Sequence, residues 1–382
     1  MTAHPRVAFT SRLHDERTAA MLGIALGITF SVCFVTGLLS HAAQNPPSWF
    51  AWPARPAGLY RLTQSLHVAT GIATIPILLA KLWTVYPKLL RRPMFVGVAG
   101  LVERVSLVPL VGGAIFLLFT GLANINLWYP WTFNFRTGHF WVAWITIGAL
   151  VVHVGAKWTT TRDALARTGT TEVTSPKPTP EPREGLDRRG FLGFVGAAAA
   201  LLTVLTVGET VWPLRKLALL APRRPDSGPQ GFPVNRSAVA AGVTQSARDP
   251  QFRLVVEGAV RHPLRLTLDE LRALPQHEAT LPIVCVQGWS ASRTWRGVRV
   301  RDLLARADAH QDASVRVQSL QRRLAYAESD LNPAQAHDRD TLLALEVDGD
   351  TLHIDHGYPL RLIGPNRPGV EQTKWVTRLV VT

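Results

Sequence analysis

Two spacings of apolar residues divide this chain. In its first half, five apolar runs are each long enough to span a bilayer, which takes about 20 residues of helix. They are Ala19–Ser40, Gln64–Tyr86, Val105–Ile125, Gly138–Trp158 and Phe191–Trp212. From about Phe232 the runs shorten to strand length and are punctuated by turn residues. Phe252–Gly258 alternates as a strand, and Thr267-Leu-Asp-Glu270 is a capping box opening a short helix to Leu274. A β-rich apolar run, Ala279–Val284, follows. Val298–Val300 leads into a helix around Asp302–Ala307, and Val315–Leu320 and Leu324–Ala327 read as strands. Leu342–Val347, Asp348-Gly349 and Thr351–Ile354 read as a hairpin with a tight turn, and Trp375–Val381 as a terminal strand.

The pattern predicts a multi-domain chain, an all-α transmembrane helical bundle followed by an α+β domain. The expected parts are an N-terminal segment 1–18, a four-helix membrane domain 19–158, a linker 159–190, a fifth transmembrane helix 191–212, a second linker 213–231 and a domain at 232–382. The first linker carries Pro176, Pro178, Pro180 and Pro182 and reads as extended chain.

Charge changes this picture in one respect, orientation. The formal net charge of +14 invites a nucleic-acid reading, but the excess lies mostly in short segments between apolar runs. From Pro213 onward basic and acidic residues nearly balance, so scattered surface charge and no nucleic-acid partner are expected. With Met1 inside, the inner segments hold Arg6, Arg12, Arg17, Lys88, Arg91, Arg92, Arg104, Lys157, Arg162, Arg167, Lys177, Arg183, Arg188 and Arg189, against Arg55, Arg61 and Arg136 outside. This positive-inside bias predicts a multi-pass protein of the inner or plasma membrane, with a cytoplasmic N-terminus and the C-terminal domain outside. Trp49, Phe50, Trp52, Tyr60, Trp128, Tyr129, Trp131 and Phe140 mark the outer lipid interface. Arg215, Lys216, Arg223 and Arg224 run against the local rule, which long translocated domains largely escape.

Histidines inside spans call for explanation. His67 is nineteen residues before Tyr86, and His139 is nineteen before Trp158, on two spans running in the same direction. The two imidazoles therefore share a depth near the outer face, the levelness that bis-histidine ligation of a haem b needs. His153 lies fourteen residues beyond His139, about 21 Å along the same helix face. That spacing resembles membrane cytochromes b with two stacked haems, but Lys81 stands where the second span should offer its partner. A second, inner haem iron would need another ligand opposite His153. The alternative is that these histidines hydrogen-bond between helices.

Asp187-Arg188-Arg189-Gly190-Phe191-Leu192-Gly193 before an Ala- and Leu-rich run resembles a twin-arginine export signal, which implies the twin-arginine machinery as a partner; an ordinary positive flank is the alternative. No small-x-small cleavage site follows Trp212, so a retained anchor is expected.

Two cysteines remain, Cys33 in the first span and Cys285 in the outer domain, which disfavours a disulfide. Cys285 taken alone reads equally well as a packed core thiol. Its setting says more. Cys285-Val-Gln-Gly-Trp-Ser290, His356-Gly-Tyr-Pro-Leu-Arg361-Leu-Ile-Gly-Pro365 and Gly369-Val-Glu-Gln-Thr-Lys374-Trp375 occur in one order. Together they resemble the sulfite-oxidase fold of molybdopterin enzymes, over about Phe232 to Thr382. Within that fold the chain is more similar to the periplasmic methionine-sulfoxide reductases than to the sulfite oxidases, which usually have Asn-Arg-Arg after the cysteine.

The resemblance implies a Mo-molybdopterin cofactor with Cys285 as the catalytic residue and molybdenum ligand, a role that suits a soft thiolate. It assigns Arg361 and Lys374 to the pterin phosphate, where forked and cationic donors belong. His356 stands where the reductases tend to have Asn. Gln372 and Thr373 would add contacts, Ser319 falls near a hydroxyl-bearing contact, and Asn235 and Arg236 would be the early contact. Arg293, Arg322 and Arg323 either steer an anionic substrate or are solvated charge. The implied activity is oxo transfer to or from a small-molecule or protein-bound substrate, an S-oxide or N-oxide, with electrons exchanged through haem with quinone or quinol. An oxidase of sulfite-like anions is the alternative enzyme, and a metal-free membrane sensor or scaffold the alternative outside enzymology.

Overall fold

A computed structural model of the chain describes residues 12–89, 97–166, 186–208, 212–321 and 326–382. The chain forms two compact units. One comprises the described residues of 1–35 and 67–206, the other those of 36–66 and 207–382. The unit boundary thus departs from a single cut between membrane helices and outer domain, because the segment joining the first two helices belongs with the second unit.

The helices are α1 (Glu16–Gln44), α2 (Leu59–Leu89), α3 (Gly97–Ile125), α4 (Phe135–Ala166) and α5 (Arg188–Val207), each long and apolar enough to cross a membrane. They exceed the apolar runs at several ends because polar caps extend them. Asp15 receives Thr18 N–H at 2.8 Å, Asn134 receives Arg136 and Thr137 N–H, and Asp187 receives Gly190 N–H at 2.7 Å, each meeting donors that a helix start leaves without partners. The fifth helix ends earlier than predicted, at Val207, and Trp212–Leu217 is a separate 3-10 turn. The Pro-rich stretch 170–185 lies outside the described residues. Gly113 on α3 faces Thr146 on α4 so closely that an added methyl group would stand 2.1 Å from its hydroxyl oxygen.

The second unit is built on two sheets. One has the order β2 (Leu264–Thr267), β1 (Arg253–Gly258), β10 (Val376–Val381), β5 (Val315–Ser319) and β6 (Glu328–Leu331), with β1 and β10 parallel and the rest antiparallel. The other runs β3 (His277–Val284), β4 (Ser290–Arg299), β7 (Leu342–Val347) and β8 (Asp350–Thr351), with β9 (Arg361–Ile363) also paired to β7. Leu254, Val256, Leu304, Val317, Leu343, Leu362 and Leu379 share one buried cluster drawn from both sheets. Phe232, Cys285, Trp289, Trp295, Leu342 and Ile363 form a second.

The capping box forms in both directions, Thr267 N–H to Glu270 at 2.7 Å and Glu270 N–H to Thr267 at 3.0 Å. The strand expected at Leu324–Ala327 is displaced. Residues 322–325, with Arg322 and Arg323, lie outside the described set, and the strand is Glu328–Leu331. Its sequence, Glu-Ser-Asp-Leu, looks too polar for a strand. Outward Glu328 and Asp330 are matched on β5 by Gln318 and Arg316, while Ser329 and Leu331 point inward. The hairpin's return strand also stops at Thr351, and Ile354–His356 is a 3-10 turn. Most of β4 escapes the sequence pattern, because its ten residues hold three arginines and three hydroxyls and carry little apolar signal.

A register shift between Arg296 and Gly297 lets β4 bend against β7. A methyl group on Gly297 would meet the Leu343 carbonyl oxygen at 2.1 Å. Gly297→Ala is therefore expected to destabilise this unit by roughly 1–3 kcal/mol or more, read as a lower thermal midpoint. An unchanged midpoint would mean the two backbones do not approach as described.

Candidate functional site

Strand β3 delivers Cys285 at its end, where the chain reverses. Cys285 N–H bonds the Trp289 carbonyl at 2.9 Å, Gly288 N–H bonds the Cys285 carbonyl at 3.1 Å, and Gly288 has φ of +88°. This turn needs a residue without Cβ strain at 288. It leaves Cys285 buried, with its Sγ accepting from Asn235 Nδ2 at 3.1 Å and from Gln287 N–H at 3.4 Å. Burial raises the thiol pKa, while the Gln287 and Asn235 donors and the charge of Arg223 oppose that rise. Asn235 is itself exposed, so its amide reaches from the surface to the sulfur. Gln287 Oε1, Trp289 Nε1 and Ser290 Oγ around the same turn are buried with no hydrogen-bond partner.

A cationic pair lies on the paired segments that follow. Arg361 and Lys374 face each other across an antiparallel bridge, Arg361 buried and Lys374 half-buried. Arg361 Nη1 donates to the His356 carbonyl at 2.9 Å, its Nε has no partner, and its guanidinium lies 5.4 Å from the Trp295 ring. Lys374 Nζ donates to the carbonyls of Arg236 and Asp355 and sits 4.5 Å from the Trp375 ring. No carboxylate forms an ion pair with either among the described residues. Burial accordingly pushes Arg361 down to about 9, and burial with the charge of Arg361 pushes Lys374 down to about 7. Gly357, at φ +117°, allows the close approach, since a Cβ there would press on the Cβ atoms of both cations at 3.2 Å.

Residues 232–236 cross this region and join its parts. Phe232 stacks on the His356 ring at 3.6 Å, Asn235 touches Cys285, and the Arg236 carbonyl holds Lys374. His356 donates from Nε2 to the Pro229 carbonyl at 2.7 Å. Burial, reinforced by Arg361, pushes its pKa down to about 3, so this imidazole is neutral at ordinary pH. Arg223, noted in the sequence only as an exception to the charge rule, donates to Val234 O at 3.0 Å and Asn235 Oδ1 at 3.4 Å. It lines a hollow of about 450 Å³ with Arg224, Ser227 and Pro229.

The remaining expected contacts fall in different places. The Ser319 hydroxyl donates to the Lys374 carbonyl at 2.7 Å and receives Gln321 N–H at 3.0 Å, so it braces Lys374 from behind. Thr373 shares a hydrogen with Ser329 at 2.7 Å. Gln372 Nε2 reaches the Pro282 and Arg367 carbonyls, leaving its buried Oε1 without a partner. Arg236 Nη2 bonds the Ala240 carbonyl. Arg293 donates to the Gly231 carbonyl and lies near Asp348, which commits it to the fold.

In the first unit, α2 and α4 bring the rings of His67 and His139 to a centroid separation of 6.2 Å. His67 Nδ1 bonds the Cys33 carbonyl at 2.8 Å, so Nδ1 carries the proton. The Thr120 hydroxyl gives its proton to the Phe116 carbonyl at 2.8 Å and accepts from His139 Nδ1 at 2.9 Å. Both Nε2 atoms are left with lone pairs, the arrangement by which an outer hydrogen bond orients a metal-binding imidazole. The separation leaves room for one metal between ring nitrogens at bonds of about 2 Å each. His153 is half-buried further along α4, and Lys81 Nζ is engaged by the Ala19 carbonyl.

Comparison with known proteins bears on the second unit. Residues 241–382 match the family described as the oxidoreductase molybdopterin binding domain. The chain is 35% identical over 136 residues to a protein named putative protein-methionine-sulfoxide reductase subunit YedZ1 from Azospira oryzae, covering 34% of this chain and 49% of that one. It is 31% identical over 162 residues to the mitochondrial sulfite oxidase of Drosophila melanogaster, covering 34% of this chain and 27% of that one. It is 29% identical over 137 residues to an uncharacterized oxidoreductase, YuiH, of Bacillus subtilis, covering 35% and 66%. The chain thus spans about half the length of the first of these relatives and less of the second.

The buried lysine makes a pH prediction. Lys374 binds its proton less tightly when folded than when unfolded, so between about pH 7 and its ordinary value near 10.5 the unfolded chain holds more protons. Stability of the cofactor-free protein is expected to gain a component as pH rises through that window, and Lys374→Met should remove it. Equal pH slopes for both proteins in denaturant titrations would contradict this burial of Lys374.

Proposed function

We propose, on the premise that residues 241–382 are a molybdopterin-binding oxidoreductase domain of the sulfite-oxidase fold, that the whole chain is a membrane-anchored oxidoreductase with its own haem relay. The observation that carries the reading is the pairing of a buried thiol, Cys285, with two cations, buried Arg361 and half-buried Lys374, that form no ion pair among the described residues.

The residues present fit a molybdopterin. Cys285, held by Asn235 and the Gln287 amide, would give the thiolate ligand; the same two donors stabilise negative charge on the sulfur. Arg361 and Lys374 would hold the phosphate, which supplies the charge that burial leaves unmatched. The unpartnered polar atoms of Gln287, Trp289, Ser290, Arg361 and Gln372 offer the pterin hydrogen bonds. When bound, the cofactor supplies two-electron oxygen-atom transfer. Neutral His356 donates from Nε2 and so holds the 229–232 segment, and through Phe232 the approach of Asn235 to the sulfur.

The substrate is read as an S-oxide or N-oxide. This rests on the methionine-sulfoxide reductase relative and on the Gly-Trp-Ser that follows Val-Gln after Cys285. His67 and His139 would hold one haem b through their Nε2 atoms, and that group would supply one-electron transfer between quinol and the second unit. An outward-facing C-terminal unit is supported by parity. Residues 36–66 follow the first helix and residues 207–382 follow the fifth, and the even number of crossings between them, helices α2 to α5, puts both on one side, where they pack as one unit. Arg188 and Arg189 open α5, as a twin-arginine flank does.

Cys285→Ser is expected to lower bound molybdenum from near one per chain by at least tenfold and to abolish oxo transfer assayed in both directions; full activity in that variant would rule out the site. His139→Ala should remove the reduced b-type absorbance bands while leaving molybdenum content unchanged. Wild-type protein without such bands would end the haem reading, and turnover with sulfite alone would reverse the direction proposed.

A further inference from the structure

The segment between α1 and α2 makes a set of contacts that neither the family match nor the site chemistry accounts for, since the family match begins at residue 241. Within the second unit, this segment lies against the two stretches that carry the cofactor residues. Trp52, 3% exposed, donates from Nε1 to the Asn366 carbonyl at 2.8 Å. Asn366 N–H donates to the Ala57 carbonyl at 3.1 Å, and Asn366 Nδ2 to the Pro53 carbonyl at 2.7 Å. Asn366 Oδ1 accepts from Tyr60 N–H at 2.7 Å.

That last bond has a specific meaning. Tyr60 is the second residue of α2, so its amide belongs to the first helical turn, whose donors have no partner within the helix. A side chain three hundred residues away in sequence caps a transmembrane helix. Asn366 also sits at φ +54°, a left-handed position that Asn tolerates better than most residues.

A second set of contacts reaches the thiol turn. Gln64 Nε2 donates to the Val286 carbonyl at 3.3 Å, next to Cys285, while Gln64 Oε1 accepts from Ser40 at 2.8 Å. Val284 is buried in one cluster with Ala43, Trp52 and Tyr60. The Trp52 carbonyl receives Asn332 Nδ2 at 2.9 Å, and Gln335, beside it, holds the fully buried Arg367 at 2.8 Å. Arg55 forks onto Asp338 and also meets Asp340, but it is half-exposed and contributes little.

We propose that residues 45–64 are a docking element that completes the cofactor unit. Gln64 is its positioning residue for the Cys285 turn, and Asn366, which receives the element, positions the 361–374 segment. The inference takes its functional meaning from the molybdopterin reading above, but the contacts stand without it. Any domain cut from the chain at residue 232 would lack the partners of Asn366 and of Val286.

Residue-resolved amide exchange on the full chain in detergent tests this. In the wild type, the Tyr60 and Asn366 amides are expected to be protected. Asn366→Asp keeps the acceptor and should keep Tyr60 protected, whereas Asn366→Gly should speed Tyr60 exchange at least tenfold. Gln64→Leu should speed exchange at residues 285–290 while leaving β5 and β10 unchanged. Freely exchanging Tyr60 and Asn366 amides in the wild type would overturn the proposal, and so would equal Tyr60 rates in the two Asn366 variants. Acceleration spread evenly through β5 and β10 in Gln64→Leu would refute the positioning role of Gln64. Because exchange does not depend on metal, wild-type protein without molybdenum would overturn the reading of the site and leave the docking element intact.

Discussion

A cation taken out of water without a neutralising anion costs several kcal/mol after the protein has relaxed around it. The second unit sets buried Arg361 beside half-buried Lys374, neither in an ion pair among the described residues, and much of its local architecture follows from that. Arg361 and Lys374 cannot be brought together by packing alone. They are held by backbone carbonyls of His356, Arg236 and Asp355, and by the faces of Trp295 and Trp375. A desolvated cation over an aromatic ring gains about 2 kcal/mol, which offsets only part of the charge penalty. The unit is therefore built around a charge deficit. A bound anionic group would answer that deficit, while a solvent-filled cavity of the same shape would not need it.

How much of this the amino-acid order disclosed depends on the kind of signal. The long apolar helices were legible because their evidence is one-dimensional, a run of residues that water rejects. Cys285, Arg361 and Lys374 were legible because each stands inside an apolar motif where its polarity is conspicuous. What stayed hidden is what depends on partners. β4 and β6 look unlike strands until the charges opposite their own are in view. Ser319 and Thr373 read as cofactor contacts, yet their hydroxyls are used within the fold. The aromatic residues at Trp52 and Tyr60 matched the profile of a lipid interface, and composition cannot tell that profile from a protein contact. Both are buried against the second unit's own residues. Asn366 carried no local signal at all, because its role is to bond groups three hundred positions earlier.

The first unit shows a parallel economy of hydrogen bonding. Lipid offers no partner to a polar group, so each one must be satisfied by the protein. Thr120 and the Cys33 carbonyl each take one ring nitrogen of a histidine and thereby fix which nitrogen keeps its lone pair. Lys81, which displaces the pattern expected of a second histidine, is tied to the Ala19 carbonyl. In both units, main-chain carbonyls or hydroxyls fix the direction of a polar side chain.

The bond between Trp52 and the Asn366 carbonyl spans 314 positions of chain. A ribosome adding roughly 5–20 residues each second leaves Trp52 waiting about 15–60 s for its partner. Through that interval the first turn of α2 has no cap from Asn366, and a large indole has no protein surface to cover it. The second unit cannot finish as its own strands emerge, since one of its pieces was made first and is already tethered between two helices. Assembly of this protein is therefore a matter of order in time as much as of affinity. A segment made among the first is among the last to find its place.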